Sequence, residues 1–436
     1  MRILQINSHY NQGGAARIVA CIHRQLLQDG EDSYVAFGRG VLPSETNVYR
    51  FDHRAEIYWS ALVSRVGGVN GWSNRAATRR LLRFVDKVQP DVIHLHALHG
   101  YYLNFPMLFD YINARDIPCV WTFHDCHAFV GNCGYYFECR RWQEGCGNCP
   151  RLLGYPASLF WDFTSFMWRR KKELFTAGER KVIVTPSDWL TEEAGKSFFK
   201  KYPCMTIRNG IDTENTFFPR NRQKCREKYG YRQEDKLILG IAVGYGDPRK
   251  GAKYIIQTAK DLAAEAKVIL VGWEKKNDTM LKDCQNVIPI PATDSVEALA
   301  EYYSMADVFV LPSLAENYAT VSLESMACGT PVVGFDAGGI PEQLTKGRGI
   351  AVRAGDQQAF TEAVRKALGE GSGLLKGEAL ASLIREENST AKMTEEYRRL
   401  YQSLLTHQSV REDQAGEGRL ADRKEETDQK PGLEEI

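Results

Sequence analysis

Two carboxylates, Glu316 and Glu324, stand with seven residues between them in the stretch Val308 to Glu342, VFVLPSLAENYATVSLESMACGTPVVGFDAGGIPE. An ionised carboxylate only accepts hydrogen bonds and can take two hydroxyl donors, which suits a sugar or a ribose. VFVL reads as a buried strand, PSLAENYA as a turn, and the next residues as a short helix ending at Gly329–Pro331. A second strand, VVGF, and the pair Gly338–Gly339 follow. On that plan Glu316 lies in the turn and Glu324 in the helix. Both can face one crevice at the carboxyl end of a sheet, where open α/β sheets bind ligands. The helix start offers unpartnered amides and a positive dipole end, which suits phosphate. Small residues there, Ala319 and Thr320, let a ligand approach the backbone. The stretch suits a polyhydroxylated diphosphate, or it is an ordinary strand–helix–strand unit with two surface glutamates. Spacing alone does not choose.

Other residues able to join such a site sit at the ends of predicted strands. Arg2–Ile6 runs into the loop Asn11-Gln-Gly-Gly-Ala, and Ile18, Ile22 and Leu26 mark the helix behind it. Many tight turns use a pair like Gly13–Gly14 only for backbone freedom. Arg17 at the start of that helix adds charge. A strand from Val120 delivers His124 and Asp125 to its carboxyl end, where an imidazole can face a ligand or be packed in the core. Leu237–Val243 leads to Gly244-Tyr-Gly-Asp-Pro-Arg-Lys-Gly and a helix from Ala252. Arg249 and Lys250 lie between them, where cations reach a diphosphate and stabilise charge growing on a leaving group. His94, His96 and His99 invite a metal reading, but no acidic partner is near them in sequence. They read instead as lining a crevice edge or as satisfied within the fold.

The Glu-x7-Glu pair in the setting S-x-x-E-N-Y-A-x-x-x-L-E-x-M-A-x-G-x-P-V-V, followed by G-G-I-P-E, resembles glycosyltransferase family 4. The run HLHALHGYYLN also resembles the amino half of its colanic-acid and exopolysaccharide members. The resemblance implies an α/β chain of GT-B fold, with two facing Rossmann-like domains, a central crevice and a C-terminal helix crossing back. Residues 1–206 would form the acceptor side and 207–388 the nucleotide-sugar domain, with 389–406 as the crossing helix. The implied reaction is retaining, metal-independent transfer of a hexose from a nucleoside-diphosphate sugar to a saccharide or lipid-linked acceptor. Glu316 would hold donor-sugar hydroxyls, Glu324 the ribose, and His124 would face the transferred sugar. Gly13 and Gly14 would face the donor phosphates, and Asn317, Tyr318, Ala319 and Thr320 would line the donor. Lys250 and Arg249 would neutralise the diphosphate. Two departures stand out: Ala319 replaces a usual glycine, and Tyr245 occupies the place of a usual arginine. No Asp-x-Asp is present to hold a catalytic cation. A nucleotide-sugar epimerase of the same fold and a non-catalytic sugar-nucleotide-binding partner subunit are the rival readings. A nicotinamide dehydrogenase is disfavoured because G-x-G-x-x-G is missing after the first strand.

Bulk properties agree with this plan. The 436 residues exceed one ordinary core, so two domains of roughly 200 residues each are expected. A net charge of +1 argues against nucleic acid as a partner. No uncharged apolar run nears the ~20 residues that span a bilayer, and the N-terminus lacks signal-peptide character, so a cytoplasmic protein is expected. Tyr155 to Phe175, YPASLFWDFTSFMWRRKKELF, pairs aromatics with four cations. It reads as an amphipathic helix, or as a peripheral contact with the inner face of a membrane. Cys133, Cys139, Cys146 and Cys149 form C-x5-C-x6-C-x2-C inside an insertion, 126–150. That density suits a structural zinc site; two disulfides, four free thiols or an iron–sulfur cluster are the alternatives. The insertion reads as structural rather than catalytic. Residues 407–436 are polar and charged and read as a disordered tail.

Overall fold

The computed structural model describes residues 1–293 and 295–406. The expected tail, 407–436, lies outside them. Two all-parallel sheets organise the chain. The first contains β1 (Arg2–His9), β2 (Asp32–Arg39), β3 (Val48–Arg50), β4 (Val92–Leu95), β5 (Cys119–Thr122), β6 (Lys181–Thr185) and β7 (Cys204–Thr206). Its order is β3-β2-β1-β4-β5-β6-β7. The second contains β8 (Leu237–Ile241), β9 (Lys267–Val271), β10 (Val287–Ile290), β11 (Val308–Leu311), β12 (Val332–Asp336) and β13 (Gly349–Arg353), in the order β10-β9-β8-β11-β12-β13. Helices cover both faces, so the central strands read as unbroken apolar runs: β4, β5 and β11 are buried at every residue. Strand order reverses between β1 and β4, and again between β8 and β11. Those are the switch points at which a parallel sheet opens a crevice beyond its strand ends.

The last helix, Thr390–Leu405, leaves the second sheet and packs on the first. Its Met393, Tyr397, Leu400 and Tyr401 share a core with Ile3, Ile18, Val92 and Val120. Polar contacts fix its register: the Tyr397 hydroxyl lies 2.9 Å from Thr122 Oγ1, and the Tyr401 hydroxyl lies 2.7 Å from His94 Nδ1. A single parallel bridge between Ile211 and Ser389 ties the segment joining the sheets to the start of this helix.

Some expectations change on folding. The stretch from Arg220 to Asp235 reads as a charged connector, yet it contains the helix Arg222–Lys228. Its Arg226 is fully buried because the carbonyls of Met305, Gln233 and Asp235, together with Asp307, satisfy the guanidinium. The stretch from about Ile57 to Arg83 reads as helices over the crevice mouth; helices do form there, within Arg54–Gly67 and Arg75–Val88, but no residue of either lines the crevice. The second of them packs on the first sheet, because its apolar face (Ala77, Leu81, Val85) belongs to that core.

Because His94 is fully buried, Tyr401→Phe leaves its Nδ1 without a partner. The substitution is expected to cost about 1–3 kcal/mol, read as a lower denaturant midpoint at unchanged slope.

Candidate functional site

The carboxyl ends of both sheets face a crevice of about 480 Å³. On one wall the loop after β1 brings Gly13, whose φ of +87° starts the helix Gly14–Gln28. Gly14 stands opposite Thr320: a Cβ on it would lie 3.8 Å from Thr320 Oγ1. Thr320 opens the helix Thr320–Ala327, so the free first-turn amides of that helix point across the interface toward the glycine loop. Thr320 and Val321 both line the crevice.

Glu316 lies in the loop between β11 and that helix. Lys250 Nζ donates to its Oε2 at 2.8 Å, Arg249 Nη1 at 3.3 Å, and the Tyr135 hydroxyl donates to Oε1 at 3.3 Å. Burial pushes this carboxyl up, but the Lys250 and Arg249 charges outweigh it and hold it below the ordinary glutamate value. Glu324 is more deeply enclosed. Arg17 Nη1 donates to it at 3.2 Å and the Tyr303 hydroxyl at 3.0 Å. Here burial wins and the carboxyl is raised. The two glutamates therefore differ: one is a firmly ionised acceptor, the other is strained toward neutrality and gains from hydroxyl donors.

The opposite wall carries histidines. His124 follows β5; its Nε2 shares a hydrogen bond of 3.0 Å with His96 Nδ1, and the rings stack at 15°. Burial pushes its pKa down to about 4, so the imidazole is neutral near pH 7. Asn317 ties the two walls together, donating through Nδ2 to the His124 carbonyl at 3.3 Å and accepting from Ser187 Oγ at 2.5 Å. His94 is satisfied by Thr122 and Tyr401 and lies off the crevice. His99 is different. Its Nε2 donates to Asp125 Oδ2 at 2.7 Å, and both residues line the crevice. The acid that seemed absent around the histidines is Asp125, because β4 and β5 are neighbours and their ends meet. Burial raises Asp125, but His99 and the His127 amide pull it below the usual carboxylate value.

Gly13, Gly14, His124, Lys250, Glu316, Asn317, Tyr318, Ala319, Thr320 and Glu324 all border this one crevice. Arg249 does not. It stands behind Glu316, with Nη1 also donating to the Ala315 carbonyl at 3.0 Å and the guanidinium 5.0 Å from the Tyr135 ring. The Ala319 amide is spent on Gln343 Oε1 at 3.2 Å, so it is not free for a phosphate. Tyr245 borders the crevice but is buried against Trp273 and toward Gly240, and it brings no charge to the position it occupies.

Tyr135 is the residue that sequence reasoning missed. It lies between two cysteines of the insertion and borders the crevice from the first domain. The insertion is therefore part of the site wall and not only structural. Nothing in its local pattern marks Tyr135, since the contact depends on a partner 181 residues away. Cys133, Cys139, Cys146 and Cys149 are free thiols. Among the described residues no three His, Cys, Asp or Glu side chains form a group able to hold a metal. The four thiols nonetheless lie within electrostatic reach of one another. The loop is also held by buried Trp142 against Phe129 and Tyr136, and by a 2.5 Å bond from the Tyr136 hydroxyl to Glu193.

Comparison with known proteins agrees with the two-part construction. The model described as Glycosyltransferase Family 4 matches residues 12–215, and that of Glycosyl transferases group 1 matches residues 237–370. The chain belongs to glycosyltransferase family 4. It is 25% identical over 426 residues to WcaC of Escherichia coli (strain K12), whose name assigns it provisionally to colanic acid biosynthesis as a glycosyl transferase. That match covers 93% of this chain and 100% of WcaC. Its fold is GT-B, matching sucrose-phosphate synthase of Thermosynechococcus elongatus at a TM-score of 0.71 and 17% identity, over 93% of this chain and 99% of the other. HepE of Anabaena, solved in complex with UDP-glucose, matches at 0.64 and 14% identity, over 92% and 100%.

Two outcomes follow from this geometry. Gly338 has φ of +62°, and a Cβ there would fall onto the Glu316 carbonyl. Gly338→Ala should therefore displace the Glu316 loop, lowering the melting temperature and weakening ligand binding about tenfold or more. His124 has a depressed folded pKa, so its stabilising contribution is full above about pH 6.5 and is lost as pH falls to about 4. Melting temperatures between about pH 7.5 and 4.5 should fall on the acid side, and less steeply in His124→Gln.

Proposed function

We propose that this glycosyltransferase moves a hexose from a nucleoside-diphosphate sugar to a hydroxyl of a saccharide or lipid-linked acceptor, with retention, in polysaccharide biosynthesis. The observation that carries the reading is the grouping of Glu316, Glu324 and Lys250 with the Thr320 helix start and the Gly13–Gly14 loop around one crevice. Glu324 accepts from the ribose hydroxyls, whose hydrogen bonds relieve its buried charge. Glu316 accepts from hydroxyls of the sugar. Lys250 and the first-turn amides at Thr320 and Val321 take the diphosphate, and Arg249 keeps Glu316 ionised from behind. The polysaccharide setting is supported by the name of WcaC, and UDP is favoured by the HepE complex.

In the proposed reaction the bond from the anomeric carbon to the β-phosphate oxygen breaks on the face where the acceptor oxygen bonds. The acceptor proton passes to the departing phosphate, giving a nucleoside diphosphate and a glycoside of unchanged anomeric configuration. Neutral His124 stands at the end of β5 on the wall formed by the first sheet, where it can bond the transferred sugar without adding a competing positive charge.

Thermal-shift measurements with UDP- and GDP-hexoses test the donor site. One nucleotide family should stabilise the protein, and Glu324→Ala should raise the donor Kd about 10–100-fold. Glu316→Gln should lower kcat by about 10²–10³ with smaller change in donor affinity. Absence of any shift with every nucleoside-diphosphate sugar would overturn the reading; epimer formation without an acceptor would favour the epimerase instead.

A further inference from the structure

The helix Arg54–Gly67 is built inside out. The residues it buries are Ser60 and Ser64, while Tyr58, Trp59, Leu62, Val63 and Val66 face outward, with Tyr58 73% and Trp59 67% exposed. These five positions fall on one helical face. A helix of a water-facing domain normally turns that face to the core. Here the core side is served by serines, so the apolar face is presented.

A second segment extends the same surface. Leu153, Tyr155, Leu159, Phe160, Trp161, Phe163 and Phe166 are also exposed, so the two stretches hold twelve of the fifteen exposed large apolar side chains among the described residues. They adjoin one another. The Leu159 amide donates to the Arg65 carbonyl at 2.8 Å, and Gly68 at the end of the inverted helix lies against the Trp161 carbonyl and the Phe163 ring. The helix Thr164–Phe175 then continues from Phe166 to Arg169 and Arg170 on the same face.

The fringe of this surface is basic. Arg54, Arg65, Arg151, Arg169, Arg170 and Lys172 are all exposed there. Of the acids nearby, Glu56 is paired with Arg80, Glu173 with Arg170, and Asp162 accepts from the Cys149 and Thr164 amides, which leaves Arg54, Arg65, Arg151, Arg169 and Lys172 as the surplus cations. A chain of net charge +1 thus gathers cations around the surface that holds most of the exposed large apolar side chains among the described residues. Indole and phenol rings within a fringe of arginines match the headgroup zone of an anionic bilayer, where rings sit at the interface and guanidinium groups meet phosphate. Among the described residues no helix is long and apolar enough to cross a membrane.

We propose that the helix Arg54–Gly67 and residues 153–170 form a docking face for an anionic lipid bilayer. The face reaches the crevice, since Tyr155 packs edge-on against His99 at 5.8 Å and His99 is bonded to Asp125 in the crevice wall. A docked molecule therefore presents its His124–Asp125 wall near the bilayer, which makes a lipid-linked acceptor the matching substrate class. This last clause rests on the transferase reading; the docking itself does not.

The test is co-sedimentation of the full chain with vesicles of phosphatidylglycerol and phosphatidylethanolamine, and separately of phosphatidylcholine. The protein is expected to pellet with the anionic vesicles and to be released by salt. Trp59→Ser with Trp161→Ser should reduce binding about tenfold or more, while melting temperature and the donor-induced thermal shift stay unchanged. Arg169→Glu with Arg170→Glu should abolish the preference for anionic lipid. Brominated lipids in the same vesicles should quench the tryptophan fluorescence of the unmodified protein, a readout independent of how any variant folds. Failure to pellet with anionic vesicles, or binding unchanged in both double variants, overturns the proposal. So does a dimer in solution that Trp59→Ser with Trp161→Ser dissociates, which would assign the face to a second copy of the chain. Loss of vesicle binding with an intact donor shift, or the reverse, separates failure of the docking face from failure of the donor site.

Discussion

The Glu316 carboxylate sits where two domains meet, shielded from water, and a charge in that position is tolerated only if cations and donors surround it. Lys250 and Arg249 come from the loop after β8, and Tyr135 comes from an insertion in the first domain. Satisfying one carboxylate thus fixes the relation of two loops in the second sheet and recruits the first domain to the same point. Gly338 makes the arrangement possible from below, because its backbone lies against the Glu316 carbonyl in a space no side chain could share. Lys250, which borders the crevice, is held in place by the same carboxylate, so a positive charge stands at the crevice wall before any ligand enters.

The opposite wall is governed by burial of imidazoles. His124, His96 and His94 form a chain running from the crevice into the first sheet. His124 bonds His96, the rings of His96 and His94 lie 3.9 Å apart, and His94 bonds Tyr401 of the last helix. Burial keeps all three below the ordinary histidine value. The helix Thr390–Leu405 is therefore more than a strap between domains. Its tyrosines satisfy polar groups directly behind the wall that carries His124, so the end of the chain supports a residue at the end of β5.

Much of this was legible in residue order. β6 and β9 form around the apolar runs Val182–Val184 and Val268–Val271, and the Glu316–Glu324 stretch forms the strand, turn and helix its pattern called for. Nearly every residue picked out for chemistry borders the crevice, because strand ends in a parallel sheet converge by topology. Arg249 and Lys250 are adjacent in one helical turn, yet Lys250 borders the crevice while Arg249 bonds Glu316 from outside its lining. The cysteine spacing suits zinc, and the folded loop keeps Cys133, Cys139, Cys146 and Cys149 within electrostatic reach of one another while it packs on Trp142 and a Tyr136–Glu193 bond.

By itself, then, the sequence determined what local periodicity and short motifs can encode: the parallel α/β plan, the glutamate pair, the glycine loop and the Arg-Lys pair. Only the tertiary structure decided that Tyr135 joins the site, that Asp125 is the partner of His99, and that the helix Arg54–Gly67 turns its apolar face outward. The reason is physical. A strand or helix forms from interactions a few residues apart, which leave a pattern in the chain. A buried charge, a satisfied imidazole or an exposed ring is defined by groups brought from distant positions, and no local pattern records which neighbour will arrive.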